Sequence, residues 1–219
     1  CQADGVPRTQ MVEQFRASPR AVLLATNRAA YGRLARLITV GRRQAEKGSC
    51  HLTFDDVARH SAGLIAGIIP EQNEPLCPEA ELCAYREAFG ERSYLLAELH
   101  YGVDDGRRLA RLQSLSRRTN VPLVAAGDVH YHVPERMALQ QVVTAIRNGT
   151  TVAELEERCL PNAERHLRRL DEIRTIFAAH PELIERTVQI AQQCTFSLDE
   201  LRYEYPQELA PPGESPIEY

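Results

Sequence analysis

Four short apolar runs constrain what this chain can fold into: Ala21-Val22-Leu23-Leu24-Ala25, Leu64-Ile65-Ala66-Gly67-Ile68-Ile69, Tyr94-Leu95-Leu96-Ala97-Glu98-Leu99 and Leu123-Val124-Ala125-Ala126. Each has the length of a strand buried inside a parallel sheet. Helical periodicity lies between them. Tyr31, Leu34, Leu37 and Ile38 recur at helical spacing and leave Arg28, Arg33, Arg36, Arg42 and Arg43 outward. Thr53 is placed to N-cap a short helix. A helix is expected from Glu79 to Phe89, and Asp104-Asp105 opens another that buries Leu109, Leu112 and Leu115. Pro134 fits a helix N1 position, with Met137, Leu139, Val142, Val143 and Ile146 filling that helix. The alternation predicts an α/β fold, with four parallel strands over residues 21–127, each followed by a helix. After Gly149 no strand is expected. Leu170–Ala179 and Pro181–Gln193 read as two helices, and a segment rich in Tyr, Glu and Pro from Phe196 reads as a linker.

Composition narrows the function. The chain has 219 residues and a net charge of −4, which argues against a surface that coats nucleic acid by charge alone. It contains no apolar run long enough to span a membrane and no signal-peptide pattern near its start. Cysteines at 1, 50, 77, 83, 159 and 194 never fall in CxxC spacing, so they read as reduced thiols of a cytoplasmic protein. Starting on Cys1 and closing on Pro216-Ile217-Glu218-Tyr219, the chain reads as a piece of something longer.

The chemistry-bearing motif is Gly127-Asp128-Val129-His130-Tyr131-His132, directly after the fourth run. Positions just beyond the C-terminal ends of parallel strands are where α/β proteins build sites. In extended backbone Asp128 and His130 point the same way and offer an oxygen and a nitrogen to zinc or manganese. The same residues also suit a helix-capping Asp and a His bonded to backbone. Glu98 and His100 end the third run. They could join Asp128 around one centre, or be a carboxylate bonded to an arginine beside an exposed His. His132 reads as a loop residue. Arg42, Arg43 and Lys47 form a basic face, either solvated or contacting DNA. Cys194 reads as core.

Beyond these local readings, several stretches carry a family resemblance. They are Val22-Leu23-Leu24-Ala25-Thr26-Asn27-Arg28 with Tyr31 and Leu34, Gly63-Leu64-Ile65-Ala66, Ala97-Glu98-Leu99-His100, and Pro122 to His130. In their order and spacing the chain resembles the PHP (polymerase and histidinol phosphatase) domain of the bacterial DNA polymerase III α-subunit family. Residues 161–168 and 196–206 are most similar to its error-prone branch. The resemblance implies a partial PHP-type, distorted (βα)7 barrel over residues 1–150, a helical end over 151–195, and a linker over 196–219 toward a polymerase domain.

The family's strand ends hold a metal cluster, and its final Asp-x-His matches Asp128 and His130. Its histidine before the Leu-x-Leu-Leu-Ala strand corresponds to Arg20, and its cysteine after the Leu-Ile-Ala strand falls at Ile68 or Ile69. Its earlier His-x-His motif has no counterpart. The expectation is therefore a degenerate site without a tight zinc or manganese cluster, in which Asp128 pairs with an arginine. By the same resemblance the parent is an error-prone DNA polymerase active in replication and repair. Its magnesium would lie in the polymerase domain, and its partners would be DNA, deoxynucleotides and other replication or mutagenesis proteins. The alternative is a stand-alone, metal-dependent PHP-family phosphoesterase.

Overall fold

A computed structural model describes residues 20–71, 78–155 and 158–202. The chain is α/β. Its strands are β1 (Ala21–Ala25), β2 (Leu64–Ile68), β3 (Ser93–Glu98) and β4 (Leu123–Ala126), hydrogen-bonded in the order β1-β2-β3-β4. Seven α-helices accompany them among the described residues: α1 (Arg28–Arg43), α2 (Phe54–Arg59), α3 (Glu79–Phe89), α4 (Asp105–Thr119), α5 (Met137–Asn148), α6 (Leu170–Ile176) and α7 (Pro181–Gln193). What is seen is an open sheet of four strands.

One expectation is corrected here. β2, β3 and β4 run parallel, but β1 runs antiparallel to β2, with Ala21 opposite Ile68 and Ala25 opposite Leu64. A single-helix crossover carries the chain back to the starting end of a strand, as α3 and α4 do. The first connection holds two helices, α1 and α2, and returns the chain to the end it left. There the N–H and hydroxyl of Thr26 both donate to the Gly63 carbonyl, at 3.2 and 2.8 Å. Among the described residues β1 is also an edge strand: Val22 and Leu24 are exposed while their neighbours are half-buried. A run of five apolar residues had concealed that alternation.

The two faces of the sheet differ. Leu64, Ala66, Ile68, Leu95, Ala97 and Leu123 pack into the main core with Leu82, Tyr85 and Phe89 of α3 and Leu112 and Leu115 of α4. The alternate residues Ile65, Tyr94 and Val124 form a small second cluster, where half-buried Cys194 packs beside Ile190. α7 serves both faces, because Leu183 joins the main core and Ile190 the second. It is tied to β4 by Arg186 Nη1, which donates to the Leu123 carbonyl at 2.7 Å.

Local signals act largely as expected. Thr53 caps α2 in a capping box with Asp56. The Asp56 carboxyl lies below its ordinary value, held there by the Thr53 N–H against the opposing effect of burial, with the Thr53 hydroxyl and Arg59 adding to it. Pro134 opens a short 3-10 turn that leads into α5 rather than α5 itself. α6 stops at Ile176, short of Ala179. The apolar residues expected to fill α5 stay largely in solvent, and only Ala145 is buried. Arg42, Arg43 and Lys47 are exposed. Cys50, Cys83, Cys159 and Cys194 form no disulfide. Cys1, Cys77 and residues 203–219, most of the expected linker, lie outside the described residues.

Candidate functional site

Parallel pairing of β2, β3 and β4 brings their C-terminal ends to one rim. Glu98 ends β3, and Asp128 and His130 follow β4. The antiparallel β1 matters here. Residue 20 precedes β1, so it reaches this same rim only because β1 is reversed. The Ile69 N–H donates to the Arg20 carbonyl at 2.8 Å, fixing Arg20 beside the end of β2.

Asp128 sits at φ +42°, a conformation an Asp tolerates better than most residues. Its Oδ2 accepts from Arg165 Nε at 2.7 Å, and its Oδ1 lies 3.3 Å from His130 Nε2. Arg165 is buried while Asp128 is half-exposed. Burial alone would push the Asp128 carboxyl up. The hydrogen bond from Arg165 and the charges of His130, Arg165 and His100 outweigh it and hold the group below its ordinary value.

Arg165 belongs to a segment that follows α5 and returns to the rim. Its carbonyl accepts from the N–H groups of His130 and Tyr131 at 2.8 and 3.3 Å, and Leu167 N–H donates to the Tyr131 carbonyl at 3.0 Å. Asn162 Nδ2 donates to the His100 carbonyl at 2.7 Å, and Arg168 Nη1 to the Leu99 carbonyl at 2.9 Å. Arg168 also lies over the Tyr101 ring. The segment thus fastens the ends of β3 and β4 together.

Glu98 and His100 are both buried. His100 Nε2 lies 3.2 Å from the Gly127 carbonyl, and burial, followed by the Arg165 charge, holds its imidazole below the ordinary value. Burial, then the Asp128 charge, pushes the Glu98 carboxyl above its ordinary 4.5, against the pull of Arg108, Arg165 and Arg20. His132 is exposed in the loop before Pro134.

The sign of the Glu98 shift gives an expected result. A raised folded pKa means that this group's contribution to stability is complete below its ordinary value of 4.5 and is lost as pH rises through the folded value. Glu98→Gln should therefore raise the urea midpoint at pH 7 and leave it nearly unchanged at pH 4. A lowered midpoint at pH 7 would mean that the arginines require the charge. Asp128 and Asp56 act in the opposite sense, losing their contribution only as pH falls through their depressed values below 3.8.

Among the described residues the donors at the rim are engaged by other partners or opposed by burial. Asp128 is engaged by a guanidinium and His100 by a carbonyl, and burial pushes the Glu98 carboxyl up. Arg20 adds positive charge, and Ile68 and Ile69 have no ligating atom. Among the described residues no three His, Cys, Asp or Glu side chains converge to hold a metal. Sequence reasoning brought Asp128 and His130 to the rim and expected an arginine partner for Asp128. It saw Asn162, Arg165 and Arg168 only as part of a family likeness and did not single out Arg165 as the partner of Asp128.

Comparison with known proteins extends this picture. The chain is 44% identical over 212 residues to a protein of Rhodopirellula baltica named error-prone DNA polymerase. It is 44% identical over 207 residues to one from Pseudomonas savastanoi and 42% over 201 residues to one from Pseudomonas aeruginosa, both with that name. Each match takes in 92% of this chain, which spans only 18% to 19% of the relative's own length. No protein-family model matches the chain. Among the described residues no helix is long and apolar enough to cross a membrane.

Proposed function

We propose that this chain is part of the PHP-type domain of an error-prone DNA polymerase that copies a template strand and tolerates damage. The observation that carries the reading is the likeness to polymerases of that name along 92% of the chain. In this reading residues outside the chain complete a barrel from the four strands, and residues 196–219 lead toward the polymerase domain. Phosphoryl transfer with magnesium and deoxynucleotides takes place in that other domain. The rim of Glu98, Asp128, His130 and Arg165 is a structural fastening. It performs no hydrolysis, because the Asp128 carboxylate is neutralised by Arg165 and the donors beside it are too few.

The test uses the purified intact parent protein. It should extend a primed template with deoxynucleotides and magnesium, past an abasic position as well as on intact DNA. Elemental analysis should find no tightly held zinc or manganese cluster, and the protein should leave 3′ ends undegraded. A protein that extends no primer but hydrolyses phosphate esters with manganese would favour a stand-alone phosphoesterase. Two or more zinc or manganese ions per chain, lost on changing Asp128 and His130 to Ala, would overturn the structural reading of the rim.

A further inference from the structure

α5 buries only Ala145. Leu139, Val142, Val143 and Ile146 follow helical spacing and are 44% to 74% exposed. They form one apolar stripe. Beside them runs an open groove of about 520 Å³, lined by Tyr131, His132, Arg136, Leu139, Val143 and Arg147 among others. Among the described residues no acidic side chain lines it, and α5 itself contains none, although the chain has 30 acidic residues to 26 basic ones. Tyr131, one of the lining residues, is buried, and among the described residues its hydroxyl has no hydrogen-bond partner.

We infer that this groove docks an acidic segment with apolar anchors, belonging to the same polypeptide but outside these 219 residues. The inference rests on the reading of the chain as part of a longer polymerase. Charge selects the occupant. Arg136 and Arg147 stand ~16 Å apart along the helix, flanking the apolar stripe. A segment with apolar residues at its centre and carboxylates at its ends matches both. A second copy does not: two-fold pairing would set arginines against arginines. A phosphodiester backbone would leave the apolar stripe in water. The relatives supply the source, since four-fifths of their length lies outside the match.

The intact parent protein carrying Val143→p-benzoylphenylalanine tests this by photo-crosslinking and peptide mapping. The expected product is an intramolecular crosslink to a segment outside the 219 residues that bears Asp or Glu beside apolar residues. Arg136→Glu combined with Arg147→Glu should lower its yield roughly tenfold. Crosslinks within the 219 residues, to a second copy, to DNA or to a separate protein would overturn the docking, as would none at all. Primer extension by the same sample separates the two readings. An active polymerase with a misplaced crosslink overturns the docking alone, and a protein that extends no primer overturns the parent reading as well.

Discussion

Replacing Asp128 with alanine should cost about 2–3 kcal/mol of stability, below the 3–5 kcal/mol typical when a fully buried pair loses one partner. The larger loss falls on what remains. Arg165 is only 8% exposed and would keep its charge without its carboxylate, whereas Asp128 is 38% exposed and water can replace part of its role. Alanine also tolerates the positive φ of position 128 less well than Asp does. Asp128→Asn keeps an oxygen for Arg165 Nε and the tolerance for that backbone, so it should recover more than half of the loss. Urea unfolding of the three proteins at pH 7 measures this. Equal losses for Asn and Ala would show that the charge, not the hydrogen bond, holds the rim. No loss for either would remove the structural role and return Asp128 to consideration as a metal ligand.

The contrast between Asp128 and Arg165 shows what the sequence can express. Asp128 and His130 sit directly after a strand, so a local pattern finds them. Arg165 lies 37 positions away from its partner in a segment without regular structure, and no periodicity points to it. Its neighbours Arg168 and Asn162 act through backbone carbonyls at the end of β3, contacts that leave no trace in residue type.

The fold follows the same division. β2 and β4 were readable because their apolar runs are buried on both sides and bounded by turn residues. β3 was placed one residue late, since Ser93 is polar yet fully buried. Its hydroxyl is satisfied by the Gly90 carbonyl at 2.8 Å. The direction of β1 was not readable, because apolar content gives a strand's existence and not its sense. The two helices between β1 and β2 were visible in the sequence and are what reverse it. Arg20 carried a second hint. A residue that precedes its strand and still belongs with the strand-end cluster requires that strand to run the other way. The exposure of α5 was likewise hidden, since an amphipathic stripe looks the same in sequence whether or not the fold packs anything over it.

The largest single loss is expected from Phe89→Ala, about 3–5 kcal/mol. The chain has no Trp and five Phe, so few large side chains fill its core. Phe89 is 1% exposed, stacks on Tyr85 at 5.8 Å, and Tyr85 meets Phe54 edge-on at 5.0 Å. These rings join α2 and α3 to the main face of the sheet. Phe89 is also the last residue of α3, and Gly90 follows at φ +60°, a turn that glycine makes without strain and that leads into β3. Loss of the ring therefore leaves a cavity and also frees the helix end that sets where β3 begins, and with it Glu98 at the rim. Phe89→Leu retains most of the volume and should cost less than about 1.5 kcal/mol. Urea midpoints for the two variants decide it. If both cost under 1 kcal/mol, the aromatic cluster is not the centre of the core, and the rim must be held chiefly by the fastening of residues 162–168.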